Sequence, residues 1–275
     1  MEPYRFTPGT VPLLVSMPHV GTHIPDGIAA RMTPAALEVP DTDWHVDRLY
    51  DFLDELGAAR IAATHSRYVI DLNRPSDGGQ LYPGASNTEL CPLTRFDEAP
   101  IYLDGPDGRS QAPSFTEIIG RVEEYWRPYH RRLESELAAI RAAHGIALLF
   151  DAHSIRSEVP RFFAGRLPDI NLGTGGGTSA DPAMAAVAIE AAAEAAQDSG
   201  SYTSVLNGRF KGGYITRAYG RPAKGVHAIQ LELSQITYMD EDPPFAFRED
   251  LATQVRPALR RILQAILGWA TEPVC

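Results

Sequence analysis

The stretch Ile146-Ala147-Leu148-Leu149-Phe150-Asp151-Ala152-His153-Ser154 decides how the chain is read. Residues 146–150 are five apolar side chains in a row, the pattern of a buried central strand. A carboxylate, an imidazole and a hydroxyl follow at once. Polar side chains placed there belong to an open α/β sheet, in which ligands bind outside the carboxyl ends of the strands. Upstream, Ser114 and Glu117 form a capping-box pair that opens a helix over 114–143. Its apolar face runs through Ile118, Val122, Trp126, Tyr129, Leu133, Leu137 and Ile140. Pro128 predicts a kink and Gly145 a stop.

The same alternation extends outward. Residues 11–16, 59–64, 67–72, 201–206 and 226–233 read as strands. Helices are expected from about 41 to 56, with Asp41 or Thr42 as its cap, and over 181–197 and 246–268. Segments 75–113, 165–180 and 207–220 read as loops rich in glycine or other turn formers, and 75–113 is long enough to suggest a binding loop or lid. Strands alternating with helices predict one α/β domain over 1–275.

The chain has 275 residues, of which 44% are hydrophobic, enough for a substantial core. A net charge of -10 and a pI near 5.3 argue against nucleic acid as a partner. An anionic small-molecule substrate would therefore need arginines placed around it. Cys91 and Cys275 are the only cysteines, too few for a secreted disulfide scaffold. No signal peptide and no apolar run of membrane length are apparent. A cytoplasmic enzyme with no membrane partner is the expectation.

Three strands end near chemistry-bearing side chains: His19 after 11–16, His153 after 146–150, and Glu232 within 226–233. Two imidazoles and a carboxylate are the usual protein ligands of a catalytic zinc, with water in the fourth position. His19 and His23 could clip a metal together only on a helix, which Pro18, Gly21 and Pro25 oppose. Asp41, Asp43, His45 and Asp47 crowd one predicted helix start, where capping is the ordinary use of carboxylates. Asp43 and Asp47 share a helical face, and either could complete a metal site. Asn73-Arg74, in the run Arg67–Pro75, suits the gripping of a carboxylate by a planar guanidinium and an amide. The plainer alternative is a surface Asp71–Arg74 ion pair. Arg209, Lys211 and Arg217 stud the loop 207–220, facing either solvent or an anion. No G-x-S-x-G elbow is present, which disfavours a serine hydrolase.

Taken together, SRYVIDLNRP, DAHS and QLEL are similar to the motifs of the aspartoacylase-like, zinc carboxypeptidase-like superfamily. More closely, VSMPHVGTHIP, DTDWHVDRLYDF, YWRPYH, LLFDAHSIRSEVPRFFAGRLPDINLGT, LNGRFKGGYITRAYG and HAIQLELSQITYMDE resemble the N-formylglutamate deformylase family over nearly the full length. The resemblance implies a three-layer α/β/α fold with a mixed central sheet. It implies one Zn2+ held by His19 and His153, Glu232 as general base, and Arg67, Asn73 and Arg74 as substrate contacts, with Arg67 at the oxyanion. Arg209 and Arg217 are further candidates for the substrate carboxylates. In one place the chain departs from the wider superfamily, which has a glutamate three residues after the first histidine, where Thr22 stands here. Asp43 is the preferred third ligand, with Asp47 and Asp26 as alternatives. The implied reaction is hydrolysis of N-formylglutamate to formate and glutamate in histidine degradation. Deacylation of another N-acyl amino acid, carboxypeptidase activity and non-catalytic binding are the rival readings.

Overall fold

The computed structural model describes residues 1–79, 87–199 and 202–271. Among these residues, seven strands form one mixed sheet: β1 (Tyr4–Thr7), β2 (Leu13–Met17), β3 (Ala59–Ala63), β4 (Ala147–Ile155), β5 (Ile170–Gly173), β6 (Ser204–Leu206) and β7 (Val226–Ser234), in the order β1-β3-β2-β4-β7-β5-β6. The four central strands β3, β2, β4 and β7 are mutually parallel. β1 joins antiparallel at one edge, and β5 antiparallel to β7 near the other.

Among the described residues there are nine α-helices: α1 (Asp26–Ala29), α2 (Pro34–Leu37), α3 (Val46–Leu49), α4 (Leu53–Leu56), α5 (Phe115–Arg121), α6 (Arg127–His144), α7 (Pro182–Ser199), α8 (Tyr214–Tyr219) and α9 (Glu249–Thr271). The period of two along each strand sorts their side chains into two cores. Val15 of β2, Leu148 and Phe150 of β4 and Ile229 and Leu231 of β7 pack with α3, α4, α7 and α9. Leu14, Leu149 and Ala228, from the same strands, face the other way, against α6, α8 and segments 28–39, 68–72 and 90–102. The result is the three-layer α/β/α arrangement with a mixed sheet.

Several segments depart from the sequence expectation, each for a local reason. The strand expected over 146–150 continues to Ile155, because β7 pairs with it residue for residue from Ala147↔Val226 to Ile155↔Ser234. His153 therefore lies inside a strand, with Glu232 directly across. Residues 67–72 form a buried turn and not a strand. The Val69 N–H bonds to the Ser66 carbonyl, and the Ser66 hydroxyl and Asp71 carboxylate accept from the backbone N–H groups of Tyr68 and Asn73. The helix expected over 41–56 breaks into α3 and α4, and His45 takes a left-handed φ of 63° before α3. Asp41 caps nothing; its carboxylate accepts from the Tyr68 hydroxyl and the Phe96 N–H.

The long helix over 114–143 is interrupted by a π turn, Val122–Trp126, just before Pro128. Ser114 caps it as expected, but Glu117 turns to Arg31 and Arg121 instead of completing the box. β5 lies within the expected loop 165–180 and α8 within 207–220. Part of 75–113 is core: Leu90, Ile101 and Tyr102 are buried. Residues 80–86 of that loop, the start of the strand expected from 201, and Cys275 fall outside the described residues. Among those described, no helix is long and apolar enough to cross a membrane.

Candidate metal centre and active site

On the α6 side of the sheet, the inward-facing row of β4 reads Ala147, Leu149, Asp151, His153, and that of β7 reads Ala228, Gln230, Glu232. Both rows turn from apolar to polar at the carboxyl ends. His19 arrives two residues after β2, once Pro18 has ended that strand. The Asp43 N–H bonds back to the His19 carbonyl, which brings the 41–45 segment over the same place. His19, Asp43 and His153 are buried and offer ligand atoms all within 4.8 Å of one another. Their ring centroids put the two imidazoles 4.8 Å apart. Asp47 instead pairs with Arg5 at the surface, and Asp26 is exposed at the start of α1. His23 packs edge-on against His65.

The hydrogen bonds around these three residues test whether they suit a metal. His153 Nε2 lies 2.9 Å from Asp151 Oδ2, and His19 Nε2 lies 2.7 Å from Asp71 Oδ1. A carboxylate only accepts, so each imidazole carries a proton on Nε2. In the neutral ring the opposite nitrogen, Nδ1, then presents a lone pair. Both Nδ1 atoms face Asp43 Oδ2, at 3.0 Å from His153 and 3.7 Å from His19. Acceptors thus converge on one buried point, and only a proton or a cation can reconcile them. Histidine ligands of metals ordinarily donate their second nitrogen to a carboxylate, as both do here. The residues fit a divalent metal.

The same geometry governs the titrations. Burial works against the charge on Asp43, but the bond from His153 and the electrostatic pull of the His19 and His153 rings outweigh it and hold the carboxyl below its ordinary range. Burial also opposes charge on His153, yet the Asp151 and Asp43 carboxylates hold it well above the usual histidine range. A proton there stands where a cation would stand. Among the described residues, no cationic partner of Glu232 stands at bonding distance. Burial pushes Glu232 up to about 8. Among the described residues its carboxylate is held by Gln230, whose amide donates to Oε2 at 3.1 Å and whose Oε1 accepts from the Gly213 N–H.

A cavity opens on this cluster, lined among others by His19, His153, Glu232, Arg67, Arg74 and Arg209. Arg67 Nη2 donates to Asp71 Oδ2 at 2.6 Å, while its buried Nε has no hydrogen-bond partner among the described residues. Asp71 therefore serves Arg67 and His19 in the interior, and the surface Asp71–Arg74 pair is not what forms. Asn73 also lines the cavity, but its amide is held from several sides. Nδ2 lies 3.3 Å from Asp151 and 3.0 Å from His153, and Oδ1 accepts from the Ile215 N–H. Arg74 is anchored by Thr88. Arg209 donates to the Phe162 carbonyl, and Arg217, which donates to Gly212, is not among the lining residues.

A family model described as N-formylglutamate amidohydrolase matches residues 11–239. The chain belongs to the N-formylglutamate amidohydrolase family. Similar proteins include the N-formylglutamate deformylase of Pseudomonas aeruginosa, 53% identical over 271 residues that cover 98% of each chain. That of Pseudomonas putida is 50% identical over 267 residues, 97% of this chain and 96% of the relative. Among solved structures, the N-formylglutamate amidohydrolase from Ralstonia eutropha JMP134 superposes with a TM-score of 0.77 at 25% identity, covering 96% of this chain and 98% of that one. The gene product Atu2144 from Agrobacterium tumefaciens shares the fold, with a TM-score of 0.66 at 18% identity and coverage of 98% and 95%.

In this member of the N-formylglutamate amidohydrolase family, sequence reasoning missed Asp71 and Asp151 as the carboxylates behind the imidazoles, and Gln230 behind Glu232. A signal existed for two of them. Asp151 precedes His153 by two residues in a strand, and Gln230 precedes Glu232 by two, so each pair shares a face. Asp71 had no comparable signal, because it reaches His19 from an irregular turn.

Proposed function

We infer that the chain is an amidohydrolase that cleaves N-formyl-L-glutamate to formate and L-glutamate, with zinc as its metal. What carries the reading is the meeting of His19, Asp43 and His153 at one buried point, beside a cavity that His19 and His153 line together with Glu232 and Arg67. It occurs in a chain about half identical, end to end, to proteins named N-formylglutamate deformylase. We place the enzyme in the cytoplasm and in histidine degradation, with residues 1–275 as one catalytic domain acting on a small anionic substrate.

His19, Asp43 and His153 would hold the metal, which supplies Lewis acidity and lowers the pKa of a water towards neutrality. Glu232 takes a proton from the attacking water as its oxygen bonds to the formyl carbon. Its burial-raised pKa suits a group that must later give the proton up, and a neighbouring cation would lower it into the range of a base at neutral pH. Arg67, whose Nε has no hydrogen-bond partner among the described residues, stabilises the oxygen that becomes negative. As the C–N bond breaks, Glu232 returns the proton to the nitrogen. Arg74 and Arg209 bind the carboxylates of the substrate, so that binding energy positions the amide. Asn73 acts by donating to Asp151, the carboxylate behind His153. Arg217 supports the 212–217 backbone.

The test is a panel of N-formyl, N-acetyl and N-succinyl L-glutamates assayed for acyl release, before and after removal of metal with a chelator. The reading expects formate release to dominate, to stop on chelation and to return with zinc. A preference for another acyl group, or activity indifferent to chelation, would overturn it.

A further inference from the structure

The motif YWRPYH, residues 125–130, takes no part in the reaction above, yet it sits at the irregular turn of the long helix. The turn is a π turn: the Arg127 N–H bonds to the Val122 carbonyl, five residues back. Pro128 has no N–H and would clash with the carbonyl four residues before it in a regular helix. The wide turn absorbs that conflict and inserts one extra residue into the helical phase.

The consequence lies on the face turned to segment 69–74. That segment is buried but belongs to no strand, so its carbonyls need donors from elsewhere. Three come from this one helix. Arg121 Nη1 donates to the Val69 carbonyl at 2.8 Å, Trp126 Nε1 to the Arg74 carbonyl at 2.9 Å, and His130 Nε2 to the Leu72 carbonyl at 2.9 Å. The spacing is five residues across the π turn and four beyond it. Without the extra residue, position 125 and not 126 would follow 121 on that face. Trp126 and His130 stack with centroids 3.7 Å apart, and the Tyr219 hydroxyl meets His130 Nδ1 at 2.9 Å, so the donors are themselves held.

We propose that the π turn at Val122–Trp126 is a positioning device, which aligns Arg121, Trp126 and His130 to fix the backbone of Val69–Arg74 and so aims Arg74 at the substrate carboxylate. Trp126 and His130 are positioning residues and do not touch the substrate. The inference rests on the reading of Arg74 as a carboxylate contact.

Steady-state kinetics on N-formyl-L-glutamate, with metal content and thermal melting recorded, tests it on four full-length variants beside the parent. Trp126→Phe keeps an aromatic ring and loses the N–H. His130→Leu loses the donor, and His130→Gln restores one at the position of Nε2. Arg74→Ala removes the aimed group. Loss of one such bond is expected to raise KM about five- to tenfold in Trp126→Phe and His130→Leu, with kcat within about threefold and metal content unchanged. His130→Gln should return KM to within about twofold of the parent. A merely structural role would lower the melting temperature and the active fraction and leave KM alone, and that result overturns the proposal. Arg74→Ala separates the two layers of argument. If it leaves KM unchanged, the role of Arg74 falls and the proposal with it. If it raises KM while Trp126→Phe and His130→Leu do not, only the positioning device falls. A parent inactive on this substrate would overturn the functional reading itself.

Discussion

Asp151→Asn is the substitution that most cleanly probes how the imidazoles are held. Asp151 is fully buried, and its two oxygens serve three neighbours. Oδ1 accepts from the Ser16 hydroxyl at 2.9 Å, while Oδ2 faces His153 Nε2 at 2.9 Å and Asn73 Nδ2 at 3.3 Å. Asparagine preserves the shape and keeps one acceptor. With its oxygen towards His153, its NH2 meets Ser16 Oγ, which can accept from it while donating to the Tyr129 oxygen 3.0 Å away. What is lost is charge: a charge-assisted bond becomes a neutral one of roughly half the strength. His153 then becomes a poorer ligand. Loss of a carboxylate behind a metal-bound histidine typically weakens metal binding by about 10- to 100-fold, or about 1.4–2.7 kcal/mol. The retained geometry places this variant towards the lower end. The assay is competition for zinc between metal-free protein and a chromogenic chelator. Affinity within about twofold of the parent would refute the reasoning, because His153 Nε2 would then need no carboxylate behind it. Asp71→Asn is the informative contrast. It also strips the buried Arg67 of its partner at 2.6 Å, so it should cost stability as well, by roughly 3–5 kcal/mol.

Glu232→Gln should keep metal and fold while lowering kcat by about 10²- to 10⁴-fold, the usual contribution of a general base; near-parental kcat in a metal-loaded sample would remove Glu232 from that role. His130 predicts an acid-sensitive stability term. It is buried, donates from Nε2 to Leu72 and accepts at Nδ1 from Tyr219, and burial lowers its pKa to about 3. Because the unfolded chain binds that proton near 6.5, the term is fully present above pH 6.5, shrinks as pH falls, and levels off below about 3. Between pH 6.5 and 4.5 the parent should lose about 2 kcal/mol more than His130→Gln, measured by denaturant unfolding; parallel pH profiles would contradict this.

Much of this was legible before any coordinates, and the rest was hidden for identifiable reasons. The apolar runs at 11–16 and 146–150 and the alternating stretch 226–233 became three of the central parallel strands. His19, His153 and Glu232 stood out because each closes or interrupts such a run. Residues 67–72 looked the same by composition, yet the Ser66 and Asp71 side chains capture the local N–H groups and turn the chain. Nor could spacing choose among the aspartates near residue 43. That choice depends on a left-handed residue, His45, and on a backbone bond from Asp43 to His19, neither of which has a periodic signature.

Diffraction from crystals of the purified enzyme, recorded on both sides of the zinc absorption edge, addresses the metal centre itself. The account predicts one anomalous peak at about 2.0–2.2 Å from a nitrogen of His19, a nitrogen of His153 and an oxygen of Asp43. A zinc-loaded, active crystal with its peak elsewhere, against His23 and His65 for instance, would contradict it.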